Sequence, residues 1–451
     1  MTEFIPIHHL LSKGRKSAFP ICAAGDDSVT WEIFSKSVVS LANGLKSRPE
    51  NRWLMIANDT LDFAIQLLAL LYAGKEVIIP PNNQAGTLTQ LAGEFEAIVS
   101  NEIASLNVSQ TKLSPIDPQA AKIHLYTSGS TGDPKCVRKS LAQFEAEVAV
   151  LEALWGERLG DHAVVATVPH HHIYGLIFRI FWPLSAGRVF DSVTCSHPDL
   201  LKERIKKFEK CILVSSPAQL SRLPELTALS SLMRSVDFIF SSGGPLSLRT
   251  ATEFHQQIGY DPIEIFGSTE TGGIAWRRQY TLETWQPLTG VIVDRDDDGA
   301  MALISPFLPD MTAWQMDDAI ELLPDGQFRL LGRLDRIVKI EEKRLSLPEM
   351  ESLLVKHAWV TNAAAISLSG RRQSVGVVVE LSVAGIQQLE KHGRRHVNQQ
   401  LKHYLSERFE AVLLPKYWRY LAQMPINAQG KLTHAAISAL FLTKQDSYVA
   451  S

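Results

Sequence analysis

Cysteine is scarce: Cys22, Cys136, Cys195 and Cys211 are the four in 451 residues, and no two form a Cys-x-x-Cys pair. Thiols so few and so far apart exclude a disulfide framework, and a reducing cytoplasm is the expected setting. Net charge is nearly absent as well. Lys and Arg number 45 against 48 Asp and Glu, a formal −3, so neither nucleic acid nor an anionic membrane surface is an expected partner. Long hydrophobic runs are missing too. The longest, Phe63 to Gly74, is interrupted by Gln66 and falls short of the roughly 20 residues a bilayer demands. It reads as buried helix, and no membrane span is expected. The first residues, Met1-Thr2-Glu3-Phe4-Ile5-Pro6, carry an acid and a proline instead of a basic stretch leading into an apolar core, so no secretory leader is expected. Internal repeats and low-complexity tracts are likewise absent.

What is present is a globular balance, 45% hydrophobic and 21% charged, in a chain long enough for two or three domains. Apolar residues at helical spacing run from Thr30, a capping residue, to Leu45. Trp53 to Ala57 is a short buried strand, Asp62 to Tyr72 a helix, and Val77-Ile78-Ile79 a strand closed by Pro80-Pro81. The same alternation returns with strands at Ala163–Val168, Cys211–Val214, Phe238–Phe240 and Ile263–Phe266. Strand–helix–strand order predicts an α/β fold, with a large N-terminal domain (residues 1–334) of mostly parallel sheets covered by helices. After Asp335 the character changes. A helix at Leu347–Lys356, strands at Ala363–Leu368 and Val375–Leu381, a helical stretch Ala384–Phe409 and a strand near Tyr417–Ala422 predict a small α+β C-terminal domain (residues 335–451), of ordinary domain size.

Between a strand ending at Tyr126 and a helix beginning at Leu141 lies Tyr126-Thr127-Ser128-Gly129-Ser130-Thr131-Gly132-Asp133-Pro134-Lys135. Small residues let backbone N–H groups approach phosphate oxygens, hydroxyls add donors and Lys135 adds a cation. The spacing is not that of a Walker loop. A plain surface turn would not need so many such residues in one run. Thr127, Ser128, Gly129, Ser130, Thr131, Gly132 and Lys135 are therefore candidate nucleotide-binding residues.

This segment resembles the signature loop of the adenylate-forming superfamily, which includes acyl-CoA and aryl-CoA ligases, peptide-synthetase adenylation domains and luciferases. Further motifs follow in the family's order. In Pro169-His170-His171-His172-Ile173-Tyr174-Gly175, His172 matches the residue bordering the acyl pocket, and His170 and His171 read as structural or solvated. Adjacent side chains on an extended segment diverge, so three successive histidines make a poor metal site. Ser242-Gly243-Gly244-Pro245-Leu246 resembles the loop beside the adenine. In Phe266-Gly267-Ser268-Thr269-Glu270-Thr271-Gly272-Gly273, the resemblance implies that Phe266 stacks on adenine beside Gly267, that Thr269 meets the α-phosphate and that Glu270 helps bind magnesium. One carboxylate is enough for an ion that shares phosphate oxygens. Asp317 falls where a carboxylate receives the ribose hydroxyls, with Asp318 as competitor. Leu331-Gly332-Arg333-Leu334-Asp335-Arg336-Ile337-Val338-Lys339 resembles the segment in which Arg333 and Lys339 contact the nucleotide and Asp335 is the hinge of a mobile C-terminal domain. Pro425 to Leu432 resembles the motif whose lysine, here Lys431, drives adenylation.

The resemblance spans about Thr30 to Ile437. It implies ATP- and Mg²⁺-dependent activation of a carboxylic acid to an acyl-adenylate, then transfer to a pantetheine thiol of CoA or an acyl carrier protein. Glu342 stands where relatives carry a glycine beside the pantetheine path, which leaves the acceptor open. A catalytically silent adenylate-binding sensor or scaffold is the alternative. His172 in place of an acid argues against an α-amino acid and for an aryl, arylalkenoic or fatty acid. The compact chain and Gly267, Gly272 and Gly273 favour a flat aryl acid.

Overall fold

The structure, a computed structural model, describes residues 2–104, 113–128, 134–226, 229–297, 299–340, 343–368, 373–425, 432 and 434–442. Gly129, Ser130, Thr131, Gly132, Glu342 and Lys431 lie outside the described residues, as do the side chains of Ser128, Asp335 and Lys339. The chain divides into two compact units: residues 1–292 with 304–312, and residues 293–303 with 313–451.

The first unit is built on two sheets. In one, strands Ala97–Ile98, Arg52–Leu54, Glu76–Ile79, Lys122–Ser128 and Pro134–Ser140 lie in that order. All but the last pair run parallel, and Pro134–Ser140 returns antiparallel beside Lys122–Ser128 with Thr127 opposite Lys135. In the other, strands Pro20–Ala24, Phe190–Thr194, Ala163–Ala166, Cys211–Ser215, Val236–Ser241 and Ile263–Ser268 run parallel. Beyond Ile263–Ser268 the chain reverses into antiparallel strands Gly272–Arg278 and Leu282–Pro287. The parallel strands read as continuous apolar runs because helices cover both of their faces.

Helices form where periodicity and caps agree. Thr60–Tyr72 starts at Asp59, whose carboxylate accepts from Leu61 N and Asp62 N, and Phe63 to Leu71 are buried almost without exception, as a run apolar on every side requires. Helix Leu141–Leu159 opens on a Ser140–Gln143 capping box. Its Trp155 meets Phe240 at 5.3 Å and Trp276 at 5.6 Å edge-on, and Phe178 meets Phe240 at 5.2 Å. These rings tie the helix and the following π-helical turn Leu176–Phe181 to the sheet, at centroid separations typical of aromatic pairs.

In the second unit strands Ala300–Ile304, Trp314–Leu322 and Phe328–Arg333 form an antiparallel ladder. Gly332, at φ +113°, presses on Pro348, since a Cβ there would stand 2.8 Å from its ring. This close approach joins the ladder to helix Leu347–Val355, so residues 313–334 group with the C-terminal residues. Strands Val360–Leu368 and Ser374–Leu381 pair antiparallel, Tyr417–Leu421 adds in parallel, and helix Val383–Ser406 packs Val397, Leu401 and Leu405 into a core with Val377, Val379 and Trp418. Among the described residues no helix is long and apolar enough to cross a membrane.

Candidate active site

The carboxyl ends of neighbouring parallel strands are where open α/β sheets bind ligands. Ala166 is in register with Val214, Ser215 with Ser241, and Ser241 with Glu264. The segments Thr167–Gly175, Ser242–Leu246 and Ser268–Gly272 therefore leave the same end of one sheet.

The first of these segments folds back sharply. A Cβ on Gly175 would stand 2.0 Å from the Pro169 carbonyl oxygen, so only glycine permits the return. His170 is buried: its Nδ1 pairs with Thr60 Oγ1 at 3.0 Å and its Nε2 with the Ala57 carbonyl at 3.0 Å. Burial and the nearby Arg179 guanidinium hold its pKa down at about 3. Arg179 is itself fully enclosed, donating to Val168 O, Thr194 Oγ1 and Thr60 Oγ1. His171 is half-buried, and burial lowers its pKa. His172 caps the short helix Ile173–Gly175, half-buried, its ring 4.4 Å from that of His171. The three histidines thus divide as a structural one, an intermediate one and one at the segment's turn.

In the second segment Gly243 has φ +92°, a conformation glycine adopts without penalty, and Ser242 Oγ donates to Ile265 O at 2.9 Å. In the third, Thr269 and Glu270 occupy the turn between antiparallel strands, and Ser268 and Thr271 bond to each other through side chain and backbone. Phe266 precedes the turn, its ring 5.5 Å from that of Trp285. A Cβ on Gly267 would stand 2.2 Å from Gly272 O, and one on Gly272 or Gly273 would meet the Glu147 carboxylate at 2.4 or 2.9 Å. Protein atoms thus fill the space a Cβ would take at all three glycines, so their small size serves the turn.

The strongest juxtaposition joins two motifs far apart in the chain. Lys135 Nζ donates to Glu270 Oε1 at 2.6 Å. Burial alone would raise the Glu270 pKa, but hydrogen bonds from Lys135, its own backbone N–H and Ser268 hold it below the ordinary carboxylate value. Glu270 is therefore an ionised, partly exposed oxygen donor at neutral pH, the chemistry a magnesium ion selects. Thr127 lies opposite Lys135 in the hairpin and donates to its carbonyl at 3.4 Å.

In the second unit Arg333 Nη2 donates to Asp317 Oδ2 at 3.0 Å, both exposed, and Asp318 is in register with Arg333. Lys339 lies on strand Ile337–Ile340 and Asp335 on a 3₁₀ turn, Leu334–Arg336.

Several residues that shape the site escape the motifs. Lys139, Gln143 and Glu147 are buried beside the Thr269–Glu270 turn. Lys139 Nζ and Gln143 Nε2 both donate to Phe307 O, at 2.9 and 2.8 Å, and Glu147 Oε1 accepts from Gly273 N at 3.0 Å. The signal was available in principle: Gln143 and Glu147 are polar at i and i+4 on a helix face that also carries Leu151 and Phe144.

The family model described as AMP-binding enzyme matches residues 81–327. A mycosubtilin synthase chain from Bacillus subtilis is 25% identical over 92% of this chain and 18% of its own length, so this chain spans under a fifth of that relative. A 4-coumarate–CoA ligase from Cereibacter sphaeroides is 26% identical over 69% of this chain and 70% of its own. A 4-chlorobenzoate–CoA ligase from Arthrobacter sp. is 23% identical over 76% and 78%. Among solved structures, the ATP-bound RpMatB-BxBclM chimera B1 superposes with a TM-score of 0.80 at 17% identity, covering 96% of this chain and 98% of that one. The o-succinylbenzoate CoA synthetase of Bacillus subtilis, in complex with its acyl-adenylate intermediate, gives 0.77 at 17%, covering 97% and 98%. At such identities these two share the fold.

Proposed function

Because the chain belongs to the AMP-binding enzyme family, we propose that it activates a carboxylic acid with ATP and passes the acyl group to a pantetheine thiol. In the first step a carboxylate oxygen of the acid attacks the α-phosphorus of ATP, and pyrophosphate leaves. In the second the thiol sulfur attacks the acyl carbon, AMP departs and a thioester remains. Neither step needs a covalent bond to the protein, so the chain's task is alignment and charge neutralisation.

The observation that carries this reading is the Lys135–Glu270 pair at 2.6 Å, which joins the lysine at the end of the glycine-rich motif to the Thr269–Glu270 turn. Lys135, largely exposed, is free to exchange its carboxylate partner for a phosphate oxygen. Thr269 offers a hydroxyl in the same turn. Glu270 and phosphate oxygens would hold Mg²⁺, which when bound neutralises phosphate charge. Phe266, Gly243 and Gly244 would border the adenine, and Asp317, Arg333 and Lys339 the ribose and phosphate. Lys431 would stabilise the charge that builds on the attacking carboxylate and α-phosphate. His172 would border the acyl group.

The acid class is aryl or fatty. The aryl choice draws support from relatives named for 4-coumarate and 4-chlorobenzoate, and the same names support CoA as acceptor, with a carrier-protein thiol as the other candidate.

Wild-type protein is expected to exchange labelled pyrophosphate into ATP only when a suitable acid is present. Lys431→Ala should lower that exchange by about a hundredfold or more, the scale on which transition-state charge stabilisers act. No exchange across a panel of aryl and fatty acids would overturn the adenylation step. With a positive acid, CoA or a phosphopantetheinylated carrier should consume the acyl-adenylate; consumption by neither would overturn the thioester step.

A further inference from the structure

Two buried charged groups are unused by the mechanism above, and both face the turn that carries Thr269 and Glu270. Lys139 and Glu147 are each 3% exposed. Ionised groups are rarely so enclosed without a partner, since desolvation of each costs several kcal/mol by order of magnitude. Lys139 lies on the same face of its strand as Lys135, because side chains two and four residues apart share a face. One lysine reaches Glu270 at the turn's apex, while the other donates to Phe307 O at 2.9 Å. Gln143 Nε2 shares that carbonyl at 2.8 Å, and one helical turn on, Glu147 Oε1 takes the N–H of Gly273 at 3.0 Å.

The fit at Glu147 is close. Gly272 has φ +70°, and a Cβ on it would stand 2.4 Å from Glu147 Oε2 and 3.4 Å from Phe307 Cβ. Gly272 and Gly273 are therefore small so that this carboxylate can dock against the main chain. Burial is the main influence on both ionisable groups, raising Glu147 and lowering Lys139, and each opposes that shift in the other. The two side chains approach without a direct ion pair, so Lys139 acts on Glu147 through its field.

We infer that Glu147 is a positioning residue for adenylyl transfer: its carboxylate pins the exit of the Thr269–Glu270 turn through Gly273 N–H, and Lys139 supplies the countercharge that lets it stay buried there. The inference rests on the proposed function above. The role belongs to the Glu147 oxygen that accepts the Gly273 N–H, beyond the general packing of two charges.

Two double variants separate these roles. K139M/E147L replaces both charges by apolar groups of similar size, a change buried pairs often tolerate in stability, but leaves Gly273 N–H without an acceptor. K139M/E147Q is also neutral yet keeps an oxygen for that N–H. Both are measured by thermal melting, by pyrophosphate exchange and by calorimetric titration of ATP with Mg²⁺ and with EDTA. K139M/E147L is expected to melt close to wild type but to lose about tenfold or more in exchange kcat with the acid KM little changed, as misplacement of a catalytic group does. Its magnesium-dependent gain in ATP affinity should shrink in parallel, with affinity in EDTA unchanged. K139M/E147Q should recover both to within about threefold. Wild-type kcat and magnesium gain in K139M/E147L, or equal losses in the two variants, would overturn the inference while leaving the proposed function standing. A wild-type protein that shows no magnesium-dependent gain would overturn the proposed function and this inference together.

Discussion

His170, His171 and His172 are chemically identical neighbours, and their surroundings give them different roles. His170 is enclosed between Thr60 Oγ1 and the Ala57 carbonyl, and burial holds it neutral down to about pH 3. Its folded pKa is below the unfolded value, so the unfolded chain takes up the proton first as pH falls. The stability contributed by keeping His170 neutral is complete above about pH 6.5 and is lost progressively as pH drops toward 3, at up to about 1.4 kcal/mol per pH unit. Urea denaturation of wild type and His170→Gln at pH 7, 6 and 5 checks this. The gap between the two proteins should narrow as pH falls, and a constant gap would contradict it. At this scale the sequence marked the histidine run and set His170 apart from His172. Its hydrogen-bond partners Thr60 and the Ala57 carbonyl lie 110 and 113 residues away in the chain, so nothing in the local pattern pointed to them.

Elements were the most legible level. Helix Thr60–Tyr72, strand Lys122–Ser128 and the parallel strands Ala163–Ala166, Cys211–Ser215, Val236–Ser241 and Ile263–Ser268 fall where apolar periodicity and capping residues place them, because those signals are local. Strands Pro134–Ser140 and Phe190–Thr194 carry no such pattern and were not expected. The antiparallel return after Glu270 was less legible: Gly272-Gly273 reads as a loop, yet it opens strand Gly272–Arg278. Glycines open it because Glu147, with Phe307 and Leu288, leaves no room for a Cβ at either position, a reason that lies in other elements. The His-rich turn depends on a glycine in the same way. Gly175→Ala drives a Cβ into the Pro169 carbonyl, 2.0 Å away, and is expected to cost about 1–3 kcal/mol as other overpacking substitutions do. Thermal melting should show that loss, and pyrophosphate exchange should show a raised acid KM with ATP KM less affected. Unchanged melting and KM would mean that the turn relaxes freely.

At the scale of the whole molecule, the composition changes at Asp335, whereas the second compact unit also takes in residues 293–303 and 313–334. The antiparallel ladder and the Gly332–Pro348 approach bind that ribbon to the C-terminal residues. With Asp335 proposed as the hinge between the two half-reactions, a rigid residue there separates them. Asp335→Pro fixes φ and is expected to leave pyrophosphate exchange within about threefold while slowing thioester formation by about tenfold or more, if rotation at this residue gates the second step. Single-turnover consumption of preformed acyl-adenylate by CoA measures the second step directly. Equal loss in both would count against a hinge at this position.

By itself the sequence determined the alternation of strands and helices, the glycine-rich loop, the Thr269–Glu270 turn and the order of motifs along the chain. These follow from side-chain volume, periodicity and backbone freedom, which act between near neighbours. Only the tertiary structure decided that Lys135 meets Glu270 across a separation of 135 residues, that His170 is buried beside Arg179 and Thr60, and that Glu147 docks on Gly273. Such contacts depend on strand register and helix packing. A shift of one residue in the Lys122–Ser128 and Pro134–Ser140 pairing would turn Lys135 and Lys139 to the opposite face.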